Sequence, residues 1–178
     1  GASGATDGGA SASTSPSGEV SVYSREDGSG TRGAFIELFG IEEKDANGDK
    51  VDLTTPTAAI TNSTSVMMTS VAGDANAIGY ISLGSLNNTV KALSIDGAEA
   101  TAENVKSGTY KVARPFNIVT KDGVSDVAQD FIDYIMSSDG QKVVEENGCI
   151  SVADNAGSYK ASGKSGKIVI AGSSSVTP

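Results

Sequence analysis

The chain has 178 residues, of which 38% are hydrophobic and 20% are charged, values typical of one folded soluble domain with or without a tail. Its net charge of -9 argues against a general nucleic-acid surface or an anionic membrane surface, because both need clustered Lys and Arg. Histidine is absent and Cys149 is the single cysteine, so we expect no histidine proton shuttle, no disulfide and no metal. We also expect no cofactor and, from the acidic charge, no nucleic-acid partner.

The first 18 residues, GASGATDGGASASTSPSG, predict a flexible linker, because such a segment cannot bury enough apolar surface to offset the cost of ordering it. The pattern changes at Glu19, and residues 19–160 predict an α/β region. Residues 161–178 predict a loop, a strand and a turn of small residues. No apolar run approaches the ~18 residues of a membrane span, and the sequence contains no signal-peptide core.

Strands and helices are predicted to alternate along residues 19–178, which favours an α/β sheet fold. The predicted strands are EVSVY (19–23), AIGYISL (77–83), VKALSID (90–96), RPFNIVTK (114–121) and KIVIA (167–171). The predicted helices are TRGAFIELFG (31–40), NSTSVMMTSVAGD (62–74), TAENVKSG (101–108), SDVAQDFIDYIM (125–136) and SDGQKVVEENG (138–148). Residues 42–57 are predicted to form a polar loop with an Asn-Gly turn.

Two helices carry further signals. The helix over residues 125–136 is the clearest amphipathic one, with its apolar side chains on a single face. Those side chains are Val127, Ala128, Phe131, Ile132 and Ile135. Ser138 and Gln141 have the spacing of a capping box at the start of the next helix. Met67 and Met68 are predicted to lie in the core.

The stretch SREDGSGTRGAF (24–35) predicts an oxyanion site where a strand gives way to a helix. A helix N-terminus presents unpaired backbone N–H groups and the positive end of the helix dipole, and Gly30 lets the backbone approach a ligand closely. Ser29 and Thr31 add hydroxyl donors, while Arg25 adds a planar fork suited to an oxyanion. Such a site needs no net positive charge, because distant surface acids are screened beyond roughly 8–10 Å at physiological salt.

Asp27 lies beside this predicted site, and two roles are open for it. Its carboxylate could accept the proton of HPO₄²⁻, which sulfate lacks, and so select phosphate. Alternatively, Asp27 only caps the turn. For the stretch as a whole, the alternative is an ordinary strand–turn–helix junction with a Ser or Thr cap. The stretch KIVIAGSSSVTP (167–178) repeats the design with a strand, a serine-rich turn and a proline suited to a first helical turn. Two such junctions could converge on one anion.

VSVYSREDGSGTRGAF and GKIVIAGSSSVTP resemble the two signature segments of PstS-type phosphate-binding proteins, the extracytoplasmic receptors of phosphate ABC transporters. The resemblance covers about residues 19–177 and implies the two-lobed α/β fold of periplasmic binding proteins of type II. One lobe would be largely complete and the other partial, with residues 161–178 supplying the first strand and anion loop of a lobe. By position, the implied phosphate contacts are Arg25, Asp27, Ser29, Gly30, Thr31, Ser175, Val176 and Thr177.

The chain departs from this family in the order of its segments. In the family the serine-rich segment opens the fold, whereas here it comes last, and an intervening part of the first lobe is missing. Three explanations are open: a junction within a tandem protein, one piece of a split or permuted protein whose second chain or domain completes the cleft, or a fragment. The first 18 residues resemble the spacer after a lipoprotein anchor, or an artificial junction.

The resemblance implies a non-catalytic receptor that lies outside the cytoplasm, is anchored to the membrane, and delivers inorganic phosphate to an ABC permease. The residues agree, because the sequence contains no histidine triad, no P-loop ending and no Cys-His pair. A Ser-Lys arrangement stays open, since both residue types are plentiful. The alternatives are a surface or scaffold module derived from such a receptor, and a receptor for another oxyanion such as sulfate, molybdate or phosphonate.

Overall fold

The computed structural model of the protein describes residues 18–153 and 155–172, so the predicted contacts Ser175, Val176 and Thr177 lie outside the described residues. The strands are β1 (Ser21–Arg25), β2 (Glu42–Lys44), β3 (Lys50–Asp52), β4 (Ala59–Thr61) and β5 (Ala77–Ile78). The helices are α1 (Gly30–Leu38), α2 (Thr64–Ala72), α3 (Ala102–Lys106), α4 (Asp126–Met136) and α5 (Ser138–Glu146), with a short 3₁₀ helix at Leu83–Ser85. The predicted α/β class is confirmed.

A three-stranded parallel sheet in the order β4-β1-β5 places β1 at its centre. The ladder pairs Tyr23 with Ala59 and Arg25 with Thr61. The first strand was predicted to end at Tyr23, but it continues to Arg25, because pairing with β4 fixes those two extra residues. In a parallel sheet the carboxyl ends of the strands share one edge, so β1 and β4 both deliver the chain to that edge.

A helix follows each of these two strands, and a serine caps each helix. The Ser29 side chain accepts a hydrogen bond from the Arg32 N–H at 3.3 Å, and the Ser63 side chain accepts one from the Val66 N–H at 3.2 Å. Each cap satisfies one of the backbone donors that a helix start leaves unpaired. The predicted positions of both helices are confirmed, with starts within two residues of the expected ones.

The core described by the structure is small and lies against the parallel sheet. Met67 and Met68 of α2 are buried, as predicted, with Met67 only 1% exposed. Ile36 is the buried residue of α1. Gly79, just after β5, lies against Met67, where a β-carbon would come 2.5 Å from the sulfur. A side chain at Gly79 would therefore displace the central methionine.

The predicted polar loop over residues 42–57 is wrong in part, because it contains the antiparallel hairpin β2–β3. The Asn-Gly turn signal within it is confirmed. Gly48 has a φ of 89°, and the Asp45 carboxylate accepts the N–H groups of Asn47 and Asp49 at 2.8 and 2.9 Å. The hairpin strands are mostly polar and exposed, so hydrophobic alternation gave no signal for them.

Three predicted strands are absent from the part of the chain that the structure describes. Residues 90–96 contribute only the isolated bridge between Ile95 and Ala98, while residues 114–121 and 167–171 form no strand. The predicted strand over residues 77–83 is reduced to β5. A strand is stabilised by neighbours that pair with it, and the described residues bring none to these segments.

The helical pair α4–α5 is confirmed, but its capping residue differs from the prediction. Ser137 caps α5 and accepts a hydrogen bond from the Gly140 N–H at 3.2 Å, whereas the predicted cap Ser138 is the first helical residue. Gln141 donates instead to the Ile135 carbonyl at 2.9 Å and accepts from the Val152 N–H at 3.0 Å. The apolar face of α4 is only partly covered, and no residue of α4 is buried.

Candidate oxyanion-binding site

The site predicted from the sequence lies at the carboxyl edge of the parallel sheet, where β1 leads into α1 and β4 leads into α2. Arg25 is the last residue of β1, and Thr64 is the first residue of α2. Nη1 of Arg25 lies 3.4 Å from the hydroxyl oxygen of Thr64. A guanidinium thus lies beside the start of α2, and the starts of both α1 and α2 direct the positive ends of their dipoles to this edge of the sheet.

Arg25 is buried, with a side chain only 2% exposed. The backbone N–H of Arg25 donates to the Tyr80 hydroxyl at 3.1 Å, and that hydroxyl also lies 2.8 Å from the Ser24 hydroxyl. The ring of Tyr80 stacks on Phe35 of α1, with centroids 4.0 Å apart. The end of β1 is therefore fixed to both α1 and the segment after β5.

Glu26 forms the closest contact of the Arg25 guanidinium. Nε and Nη2 of Arg25 donate to the two carboxylate oxygens of Glu26 at 2.8 and 3.0 Å, a bidentate arrangement. The hydrogen bond from Arg25 lowers the pKa of Glu26 below its ordinary value, so Glu26 is ionised at neutral pH. Sequence reasoning missed Glu26, because it offered Asp27 as the acid beside Arg25.

Asp27 pairs instead with Arg32. Nη1 of Arg32 lies 3.0 Å from a carboxylate oxygen of Asp27, whose side chain is 98% exposed. Arg32 also donates to Asp52 of the hairpin, with a shortest distance of 2.7 Å, and to the carbonyl oxygen of Arg25 at 2.7 Å. Arg32 thereby ties the turn, the end of β1 and the hairpin together, a role that its sequence position did not reveal.

The remaining predicted contacts gather at the start of α1. Ser29 is 6% exposed, caps the helix, and donates its own N–H to the Glu26 carbonyl at 3.2 Å. Gly30 opens the helix, and the hydroxyl of Thr31 lies 3.5 Å from the hydroxyl of Ser82. The structure thus brings Arg25, Ser29, Gly30 and Thr31 into one strand–helix junction. It leaves Asp27 on the exposed side of the turn.

Within residues 18–153 and 155–172, no group of three or more Cys, Asp or Glu side chains is arranged to hold a metal ion. The same ranges contain no helix that is long and apolar enough to cross a membrane. What the junction does offer is donors: one guanidinium, serine and threonine hydroxyls, and two helix starts. A guanidinium and the N–H groups of a helix start favour oxyanions, and the hydroxyls can donate to the same anion.

Comparison with protein families decides the assignment. The family model described as the PBP superfamily domain matches residues 7–139. This chain belongs to the PBP superfamily. The match covers the sheet, α1 to α4 and the whole of the strand–helix junction described above.

Named relatives confirm the resemblance to PstS-type proteins. The chain is 62% identical over 167 residues to phosphate-binding protein PstS 2 of Streptococcus agalactiae serotype V, covering 93% of this chain and 57% of the relative. It is 49% identical over 168 residues to phosphate-binding protein PstS 2 of Streptococcus pneumoniae serotype 4, covering 94% and 57%. This member of the PBP superfamily therefore spans a little over half the length of these curated relatives.

Solved structures give the same result for the fold. The crystal structure of a phosphate-binding protein of a phosphate ABC transporter from Streptococcus pneumoniae superposes with a TM-score of 0.77 at 50% identity, covering 84% of this chain and 58% of that one. A phosphate ABC transporter substrate-binding protein from Clostridium perfringens, solved with bound phosphate, gives a TM-score of 0.64 at 40% identity, covering 75% and 52%. These relatives are named as binding proteins, in agreement with the prediction of a non-catalytic protein.

Proposed function

We propose that the junction of β1 and α1 binds inorganic phosphate as one side of the cleft of a phosphate receptor. The observation that carries the proposal is Arg25, whose guanidinium lies buried at the carboxyl edge of the sheet, beside the start of α2 and at the end of the strand that leads into α1. Ligands of open α/β sheets bind at that edge, and helix starts favour anions. The names of the relatives, and the bound phosphate of one of them, support phosphate as the anion.

Each residue of the proposed site has a chemical role. Arg25 supplies the positive charge, and Ser29, Gly30 and Thr31 supply hydroxyl and backbone donors from the first turn of α1. Asp27 lies at the exposed rim, where it would accept the proton of HPO₄²⁻ once the cleft closes over it. Ser175, Val176 and Thr177 are proposed to contact the phosphate from the opposite side.

The opposite side of the cleft is proposed to come from a further segment, domain or chain that pairs with residues 114–121 and 167–171. Apolar side chains in these segments are exposed, including Phe116 at 57%, Val119 at 87% and Val169 at 90%. Strand-forming residues with this much apolar exposure gain stability when a neighbouring strand covers them. Residues 161–178 would then supply the first strand and the anion loop of a lobe, as the sequence predicted.

The proposed receptor works outside the cytoplasm, is anchored to the membrane, and delivers phosphate to an ABC permease. Support comes from relatives and structures that carry the names of phosphate ABC transporter proteins. Anchoring would follow from a lipid attached before the linker of residues 1–18, which has the composition of a flexible spacer.

Thermal unfolding with phosphate, and with sulfate as the matched anion, tests the function. A ligand that binds only the folded chain raises the free energy of unfolding by RT ln(1 + [L]/Kd), so millimolar phosphate reports even weak binding. Arg25→Lys keeps the charge but removes the planar fork, and we expect it to abolish the phosphate response. Arg114→Lys is the matched control, since Arg114 is half-exposed and pairs with Glu37 away from the junction.

Each outcome has a distinct meaning. A phosphate response that survives in Arg25→Lys, with unchanged far-UV circular dichroism, would refute the assignment of the site. An equal response to sulfate would indicate a general oxyanion receptor. Cooperative unfolding that responds to neither anion would indicate either a scaffold module or a receptor whose cleft needs the further segment proposed above.

A further inference from the structure

The proposed phosphate contacts do not explain the position of Glu26, the acid that pairs with Arg25. Its carboxylate oxygens accept from Nε and Nη2 of Arg25 at 2.8 and 3.0 Å. These two donors form one of the faces with which a guanidinium holds a carboxylate or a phosphate in a bidentate manner. A carboxylate of the chain itself therefore occupies one of the bidentate faces that Arg25 could offer to an incoming oxyanion.

The exposure of the two side chains indicates which of them meets solvent first. The Arg25 side chain is 2% exposed, whereas the Glu26 side chain is 35% exposed. The guanidinium is covered, and Glu26 is the partner that reaches solvent. A dissolved oxyanion thus encounters the like charge of Glu26 before it encounters Arg25.

Glu26 is held so that its side chain can move while its backbone stays in place. Its N–H donates to the carbonyl oxygen of Thr61 at 3.0 Å, and its carbonyl oxygen accepts from the Ser29 N–H at 3.2 Å. Both bonds belong to the main chain, so neither depends on where the carboxylate points. The Glu26 carboxylate is partly exposed, so water can solvate it when it leaves Arg25, and an oxyanion that takes its place keeps the buried guanidinium paired.

We propose that Glu26 is an internal competitor for the oxyanion: its carboxylate occupies the Arg25 guanidinium in the unliganded protein and moves into solvent when phosphate binds. This inference rests on the proposed function, because it needs the oxyanion to bind at Arg25. Removing the charge of Glu26 then raises the affinity for phosphate. If Glu26 instead served to position Arg25, removing it would lower the affinity.

Calorimetric titration with inorganic phosphate shows whether removing the charge of Glu26 raises or lowers the affinity for phosphate. Glu26→Gln keeps the size of the side chain and removes its charge, and we expect its Kd to fall about two- to fivefold, the range that a partly exposed ion pair allows. Glu43→Gln makes the same change in net charge at an exposed position of β2, and its Kd should equal that of the parent protein. An increase in Kd for Glu26→Gln overturns the proposal.

A second measurement needs no phosphate. The chain has three arginines, Arg25, Arg32 and Arg114, and phenylglyoxal modifies accessible guanidinium groups. Peptide mass spectrometry should find Arg25 protected in the parent protein and modified faster in Glu26→Gln and Glu26→Ala. Arg114, which is 47% exposed, serves as the internal reference for reagent activity. An unchanged Arg25 rate in both variants overturns the proposal.

The two measurements separate failure of this inference from failure of the proposed function. Suppose that Arg25 becomes reactive in the variants but neither the parent protein nor any variant binds phosphate. That result would refute the phosphate site, while it would still support the conclusion that Glu26 shields Arg25. Phosphate binding that weakens in Glu26→Gln would refute competition and keep the phosphate site.

Discussion

Replacing Gly140 by alanine is expected to destabilise the protein, although alanine is the better helix former. Gly140 is buried in the first turn of α5, directly after the corner at Ser137. A β-carbon at this position would overlap the carbonyl oxygen of Tyr134 and would lie 2.7 Å from the carbonyl oxygen of Ile135 and 2.8 Å from its Cα. All three are backbone atoms, so the clash cannot be relieved by a side-chain rotation.

The magnitude follows from two opposing effects. Glycine to alanine in an open helical position gains up to ~1 kcal/mol, because alanine loses less backbone entropy on folding. Overpacking that forces backbone shifts costs typically ~1–3 kcal/mol, and contacts shorter than 3.0 Å to three backbone atoms place Gly140 at the upper end. We therefore expect a net loss of about 1–3 kcal/mol, which lowers the Tm by roughly 2–10 °C in a chain of this length.

Thermal unfolding followed by far-UV circular dichroism measures this loss. Gly33→Ala is the matched control, because Gly33 lies within α1 and a β-carbon there meets no atom within 4 Å. That variant should unfold at the temperature of the parent protein or up to a few degrees above it. Gly140→Ala with a Tm equal to or above that of the parent would refute the packing argument for the α4–α5 corner.

Three further predictions concern the core, the loop after α5 and the response to pH. Met67→Ala should lose about 2–5 kcal/mol in urea unfolding, because Met67 is 1% exposed at the centre of the core, and a loss below ~1 kcal/mol would contradict that placement. Gly148→Ala should also lower the Tm, since Gly148 has a φ of 74° and its β-carbon would come 2.6 Å from Cα of Gly84. Because the folded-state pKa of Glu26 is lowered, its contribution to stability is present above the ordinary value of 4.5 and is lost as pH falls through the folded-state pKa. The Tm difference between the parent protein and Glu26→Gln should therefore shrink from pH 6 to pH 3, and a constant difference would contradict the ion pair.

Helices were predictable because their signals are local. Ser29, Thr101 and Ser125 each cap a helix with a side-chain oxygen, and apolar spacing identified the bodies of α2 and α4. Capping geometry depends on three or four neighbouring residues, which the sequence supplies directly. The cap of α5 was predicted at Ser138 instead of Ser137 because either serine can cap a helix. The packing of the α4–α5 corner determines which one does.

Strands were less predictable because pairing decides them. β4 has three residues and becomes a strand through its ladder with β1, whereas residues 114–121 have a strand-like sequence but no partner within the described ranges. The acid beside Arg25 was missed for a similar reason. Glu26 and Asp27 are adjacent in sequence, and only the backbone direction after β1 decides that Glu26 reaches Arg25 and Asp27 reaches Arg32.

The ion pairs at the junction change the explanation of how a chain with net charge -9 could bind an anion. The cations Arg25 and Arg32 are both paired with acids, namely Glu26 for the former and Asp27 and Asp52 for the latter. Two cations against three carboxylates give the junction no long-range attraction for phosphate, so one unopposed arginine does not explain binding. In the proposed site, affinity would come from donors that act only at contact: the Arg25 guanidinium once Glu26 has left it, the Ser29 and Thr31 hydroxyls, and the backbone at the start of α1. Salt screens hydrogen-bond donors in direct contact with a ligand only weakly. Such a site would therefore discriminate between oxyanions by their shape and protonation more than by their charge.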